Sequence, residues 1–548
     1  MGAGLPLQIR SGRACRSPPL EGPEPYGIAI LDASEVTQTT TDTDAELLHR
    51  LGYAQELWRR MGGFANFAVS FSIISILSGA ITSFDLGLAS AGPAEMGIGW
   101  PVVCLFSLAT AMAMAEIASA FPTAGGLYHW AAILGGNGWG WWTAWFNLIG
   151  LVTVLAAIDF GAAAFLLGWA GPLVGLDLAA SSPAAAQAWK VALTAAFLFS
   201  QGWINHRGIR LTALVTDLSA WVHMAGAALL TASLLGLARA QPVGYLFEWI
   251  NLTGSLGDAG FPRTESIPWA FVLGMLMAAY TFTGYDASAH TAEETVDAAN
   301  KVPWGMVMAV VVSGVFGYLM LVAVTLAIRD PRQALASGGA VIHVMRQGLP
   351  EWLSLLLLGI ISLAQYSCGL ATVTSLSRMI YAFARDGGLP GSHLWSRVSP
   401  ATRTPAHAIW LGSGLALAFT LYTPVYATIT CVATISLYIS YAIPPALGLR
   451  ARGVEWKQMG PWTLGRFGPP VAATAVAWVA FVCVILVQPP NRLALWTMLA
   501  CAGLLALYWF AYARRTFQGP PRGLLSRERQ AELQAVEDRL SGETAQAK

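Results

Sequence analysis

The stretch Phe71-Ser72-Ile73-Ile74-Ser75-Ile76-Leu77-Ser78-Gly79-Ala80-Ile81-Thr82 sets serine, glycine and threonine inside an apolar run. Much later, Ala279-Tyr280-Thr281-Phe282-Thr283-Gly284-Tyr285-Asp286 does the same. Each run is roughly 20 residues long, enough for a helix to cross a hydrocarbon core of about 30 Å. Glycine costs about 1 kcal/mol in a helix interior, and neighbouring hydroxyls can satisfy the backbone groups that unwinding frees. Both runs are therefore predicted to be membrane helices that break near their middles.

Working outward, similar apolar runs recur along the 548 residues. About twelve are expected as spans: 64–86, 94–120, 139–168, 189–206, 211–237, 269–291, 304–329, 351–384, 405–423, 426–449, 469–488 and 491–513. They are numbered one to twelve below. The chain is 55% hydrophobic and 11% charged, where a soluble domain carries about a quarter charged residues. In lipid each backbone amide must be satisfied within its own segment, which makes the runs helices. Barrel strands would alternate polar and apolar residues, and these do not. The predicted fold is an all-α polytopic membrane protein. Five of the six cysteines fall inside apolar runs without metal-ligand spacing, so neither a metal nor a disulfide framework is expected.

The two predicted breaks lie in spans one and six, five helices apart. That spacing suggests two inverted five-helix repeats, about 64–237 and 269–449, whose broken first helices meet at a midplane site. Two extra helices, about 469–513, would follow. Half-helix ends offer free amides to a carboxylate and free carbonyls to an ammonium or a small cation. This suits carriage of an amino acid or amine by alternating access. A channel would need a pore-lining ring or repeated filter loops, and an enzyme a catalytic constellation; the sequence offers neither. It carries no basic run of the kind that binds nucleic acid.

Ionisable residues inside a span are expensive and read first as functional. Asp286, just past the second break, would attract a substrate cation or carry a coupled proton; the alternative is a cap on the second half of helix six. Asp159 in span three is placed toward the outer half, facing a vestibule. His223 in span five is a proton-relay candidate or a satisfied interior histidine. In span eight, Ser362, Gln365, Gly369, Thr372 and Ser375 form one polar stripe at helical spacing. It would line the path, hold a sodium ion near Thr372 and Ser375 with carbonyls of span one, or bond to neighbouring helices. Thr143, Asn147, Gly150, Ala157 and Gly161 in span three read as a packing stripe.

Residues 1–56 are polar and expected to be a disordered tail, 57–514 the transmembrane body, and 515–548 a second tail. An even number of spans puts both tails on one side. About eleven Lys and Arg fall in loops on that side against about seven opposite, which assigns the tails to the cytoplasm. A plasma membrane, or a bacterial inner membrane, is the expected location.

Three further stretches carry a family resemblance. Glu116 to Trp130, with Pro122, Gly125, Gly126 and Tyr128, resembles the segment joining spans two and three of amino acid–polyamine–organocation (APC) permeases. Ser377-Arg378 through Tyr381, Arg385-Asp386-Gly387 and Leu389-Pro390 resembles their signature after span eight. Thr283 to His290, with Glu293, Glu294 and Asn300, resembles span six of the branch that includes GABA permeases and choline, ethanolamine and polyamine carriers. The resemblance implies a LeuT-like fold and secondary transport of amino acids, GABA or related amines, coupled to protons or to sodium, with no cofactor. It implies that Ser75, Ser78, Gly79 and Ala80 bind one end of the substrate. Tyr280, Thr281, Phe282, Thr283, Gly284 and Gln365 would line the rest, with Tyr280 as a gate. Span one reads Leu77-Ser78-Gly79-Ala80 where amino acid permeases carry Gly-Ser-Gly. Glu293 and Glu294 would close an inner gate by pairing with Arg59, Arg60 or Arg378.

Overall fold

The computed structural model describes residues 1, 44–176, 181–256, 263–422, 426–488, 491–521 and 527–546. Among them there are helices and two isolated bridges, and no strand. Every one of the twelve apolar runs is helical. Nine helices among the described residues are long and apolar enough to cross a membrane, and Ile267–Thr281 and Ala406–Tyr422 are shorter apolar helices. Pro183–His206 accounts for span four. Leu105, Leu214, Trp221, Leu504 and Leu507 are each more than 60% exposed in mid-helix. Such apolar surface is tolerable only against lipid. Span three, Asn137–Ala170, is by contrast buried along most of its length. Spans four, eight, nine and ten pack against it.

Both predicted breaks are present. Span one runs as Gly63–Ile74, then turns at Ser75, which is left-handed at φ 37° and ψ 80°. It resumes as a wide π turn, Ile76–Ala80, and continues in Phe84–Ala91. Span six runs as Ile267–Gly274 and Leu276–Thr281, leaves helical geometry at Phe282, and restarts only at Ala287–His290. Gly284, in the gap, has φ 89°, where a side chain would be strained. The broken helices lie against each other. Ser70 Oγ donates to the Tyr285 carbonyl at 2.9 Å, and a Cβ on Gly79 would sit about 3 Å from Thr281.

The sequence places a tail over residues 1–56, but the chain joins the folded body from residue 44. Residues 44–50 form a helical turn, and Leu48 and Tyr53 are buried. The rest of that expected tail lies outside the described residues. The C-terminal helix Arg527–Gln546 reaches the same end, where His49 Nε2 and Glu537 Oε1 meet at 2.8 Å.

Candidate substrate site and gates

The first break is wired to span five. His223 Nδ1 lies 2.8 Å from the Ser219 carbonyl, which can only accept, so the neutral ring carries its proton on Nδ1. Nε2 is then the acceptor, and Ser75 Oγ donates to it at 2.6 Å. The amides of Ser78 and Gly79 both return to the Ser75 carbonyl, at 2.8 and 2.9 Å. Ser78, Gly79 and Ala80 are buried around the turn. Span eight approaches through the Cys368 thiol, 3.3 Å from the Ile73 carbonyl, and Gln365 Nε2, 3.5 Å from that of Leu77.

At the second break, Thr281 and Thr283 hydroxyls cap carbonyls of their own helix, those of Met277 and Tyr280. Phe282 turns away from the break onto Trp100, with ring centroids 4.7 Å apart. Tyr280 meets Tyr426 edge-on at 6.3 Å, and Tyr426 shares a 2.7 Å hydrogen bond with Thr82. Thr82 and Tyr426 border a cavity of about 330 Å³ at the end of the bundle opposite the tails, with Asp85 and Lys190 also on its wall. Tyr280 therefore stands between that cavity and the breaks.

Asp286 does not cap helix six; its side chain makes no hydrogen bond to the first amides there. Tyr441 Oη donates to its Oδ1 at 2.6 Å, Asn147 Nδ2 to its Oδ2 at 3.0 Å, and His290 Nε2 lies 3.2 Å from Oδ2. Tyr441 in turn accepts the Gly284 amide at 3.0 Å. Asn147, read as a packing residue, is thus a ligand of the intramembrane carboxylate. Nothing in span three alone signals that, because the partner lies 139 residues away. Asp159 is buried against span four, accepting from Gln201 Nε2 at 2.8 Å. In span eight, Thr372 turns its hydroxyl onto the Cys368 carbonyl, while Ser375 Oγ has no partner among the described residues.

The three stretches that carry the family resemblance converge at the tail end. Arg378 makes a two-pronged pair with Glu294, Nε and Nη2 each at 2.9 Å, and both side chains are fully buried. Glu293 pairs with Arg385 rather than with Arg59 or Arg60, at 3.0 and 3.1 Å, and also takes the Ala124 amide at 3.0 Å. Arg59 instead donates to the carbonyls of Ala292 and Thr295, and Arg60 stacks over Trp58. Fork-to-fork geometry explains the choice. Arg378 and Arg385 lie two helical turns apart on one face of span eight, and Glu293 and Glu294 lie opposite them. Asp386 draws in Tyr53 and Tyr128, whose hydroxyls donate at 2.8 and 2.7 Å. Glu116 is held by Arg452. The Arg378 to Arg385 spacing was the available sign of the second pair; Tyr53, Tyr441 and Tyr426 had none.

The sequence profile of the amino acid permease family matches residues 61–511. The chain belongs to the amino acid permease family. Among its relatives, the amino-acid permease BAT1 of Arabidopsis thaliana is 34% identical over 522 residues, covering 88% of this chain and 98% of that protein. Its homologue in Oryza sativa subsp. japonica is 34% identical over 510 residues, covering 87% and 96%. A putative polyamine transporter of Candida albicans is 25% identical over 504 residues, covering 87% and 89%. The permease is thus a multi-pass membrane transporter of the APC superfamily, and not an enzyme.

Proposed function

We propose that this permease is a proton-coupled carrier of amino acids, GABA or related small amines, working by alternating access in a plasma membrane with both tails in the cytoplasm. The observation that carries the reading is His223 on Ser75. A titratable ring is bonded to the residue at which the first broken helix turns, so binding a proton changes the hydrogen bonding of the break itself. The broken helices one and six, meeting five spans apart, support a LeuT-like inverted repeat. The substrate's carboxylate sits at the first break beside Ser78, Gly79 and Ala80, and the remainder lies against Tyr280, Thr281, Thr283, Gly284 and Gln365. Phe282 supports the site from behind through Trp100. Asp286 holds spans three, six and ten together and supplies negative potential toward the site. Tyr280 gates the outer side; Glu293, Glu294, Arg378 and Arg385 seal the inner.

The test is uptake of radiolabelled GABA into liposomes under an inward proton gradient, beside choline, ethanolamine and an amino-acid panel. Uptake that collapses with a protonophore, survives sodium-free buffer and is lost in Asp286→Asn is expected. Sodium-driven uptake would transfer coupling to the oxygens near Thr372 and Ser375. Flux of choline alone would make the protein an organocation carrier.

A further inference from the structure

One buried polar group in the bundle has one-sided hydrogen bonding. Asp159 of span three, Gln201 of span four and Gln365 of span eight are each fully buried. Gln201 Nε2 donates to Asp159 Oδ1 at 2.8 Å and to the Tyr366 carbonyl at 3.1 Å, which spends both its protons. Asp159 Oδ2, Gln201 Oε1 and Gln365 Oε1 accept from none of the described residues. Gly369 makes the approach possible, since a Cβ there would collide with Asp159 Oδ1 and Gln201 Nε2. Gln365, one turn earlier, shares its face of the helix.

The unpartnered atoms, a carboxylate oxygen and two amide oxygens, are all acceptors; the one donor position left beside them is the second proton of Gln365 Nε2, whose first points to the Leu77 carbonyl. The complement is a group with several N–H bonds: a primary ammonium with three or a guanidinium with five. Buried acceptors without partners are the exception in native proteins, so an occupant of that chemistry is called for. The group also lies where a substrate would pass. Cys368, next to Gly369, reaches the Ile73 carbonyl at the first break. Gly161, two residues beyond Asp159, packs on Tyr426 and Thr82 at the floor of the outer cavity.

We infer that Asp159, Gln201 and Gln365 form a subsite for a distal ammonium or guanidinium of the substrate. Resting on the transport reading above, this narrows the substrates to ω-amino compounds, in which a carbon chain separates the cationic end from the group held at the breaks. GABA and the basic amino acids have that form; alanine and leucine do not.

The experiment measures initial rates of radiolabelled GABA, lysine and alanine uptake into liposomes holding the wild-type protein, Asp159→Asn or Asp159→Glu. The wild type is expected to show a lower KM for GABA and lysine than for alanine. Asp159→Asn, which keeps the Gln201 contact, is expected to raise the GABA and lysine KM about ten- to hundredfold, the loss of one charge-assisted hydrogen bond, and to leave alanine unaffected. Independently of any variant, n-butylamine should compete with wild-type GABA uptake more strongly than butyrate. Equal slowing of all three substrates in Asp159→Asn, or no change in any, overturns the subsite and leaves the transport reading standing. So does a sodium dependence that vanishes in Asp159→Asn, which would give these oxygens to a metal ion. No uptake of any substrate by the wild type overturns both.

Discussion

Glu293 and Arg385 form a two-pronged ion pair, at 3.0 and 3.1 Å, directly beside the equally two-pronged pair of Glu294 with Arg378. Two adjacent acids after helix six thus meet two arginines on one face of span eight. The pairs differ in what each arginine would leave behind. Glu294 is fully buried, and Arg378 is its only ion-pair partner among the described residues. Glu293 keeps the Ala124 amide if Arg385 is lost. Removing one member of a buried pair costs about 3–5 kcal/mol. Arg378→Met is therefore expected to lower the thermal midpoint in detergent strongly, and Arg385→Met less. Equal midpoints for the two variants would show that the pairs are interchangeable.

Gly284 offers a local test of the second break. Its φ of 89° is unfavourable for any residue with a side chain, and a Cβ there would run into Ile73 of the first broken helix. Its amide also holds Tyr441, which holds Asp286. Gly284→Ala is expected to cost about 1–3 kcal/mol in backbone strain and to abolish uptake. Alanine at the exposed Gly414, which has nothing within 4 Å, should leave both folding and uptake intact. Wild-type uptake by Gly284→Ala would mean that the gap tolerates a side chain and is not held closed.

The spans and their breaks were legible because the bilayer imposes a length and glycine beside hydroxyls marks where that length is interrupted. The tail-end ion pairs were half legible. Glu294 with Arg378 could be read from adjacency of motifs, but the choice of Arg385 over Arg59 for Glu293 depends on how span eight is rotated. Composition misled over residues 44–56. Their polar character describes Gln55, which reaches the Glu293 carbonyl, while Leu48 and Tyr53 supply the buried contacts. Tyr441 carries no mark in the sequence of span ten, and only the fold brings its hydroxyl to Asp286.

The tail end also carries opposed titrations. His129, in the short helix Leu127–Gly135, is buried with Nδ1 2.9 Å from Thr123 Oγ1. Burial first, and then the charge of Arg385, lower its pKa from 6.5 to about 3. The unfolded chain takes up that proton below pH 6.5 and the folded chain does not. Stability from this group is thus complete above pH 6.5 and is lost as pH falls toward 3, by at most about 1.4 kcal/mol per unit. Burial raises Asp386 from 3.8, against the pull of Arg385 and the two tyrosines. Its contribution runs the other way, fullest below 3.8 and lost as pH rises through its folded value. His129→Gln should therefore flatten the fall in thermal midpoint between pH 6.5 and 4, and Asp386→Asn should steepen it. A His129→Gln profile parallel to the wild type would remove the histidine from the account.

His223 and Ser75 allow the sharpest test of coupling. In the neutral ring, Nδ1–H is fixed on the Ser219 carbonyl and Nε2 takes the Ser75 hydroxyl proton. Protonation makes Nε2 a donor, and Ser75 must turn its own proton elsewhere. The turn that holds the amides of Ser78 and Gly79 then changes partners at the point where a substrate carboxylate would bind. His223→Gln preserves a side chain that donates and accepts but cannot take a proton. It is expected to flatten the pH dependence of uptake and to abolish accumulation driven by a proton gradient. Exchange of internal for external substrate, which needs no net proton movement, should continue within about threefold of wild type, since one neutral hydrogen bond is altered. Loss of exchange as well would make His223 a structural support of the break. An unchanged pH profile would move the coupling proton to Asp286, whose Tyr441, Asn147 and His290 partners form the other buried ionisable hub beside the breaks.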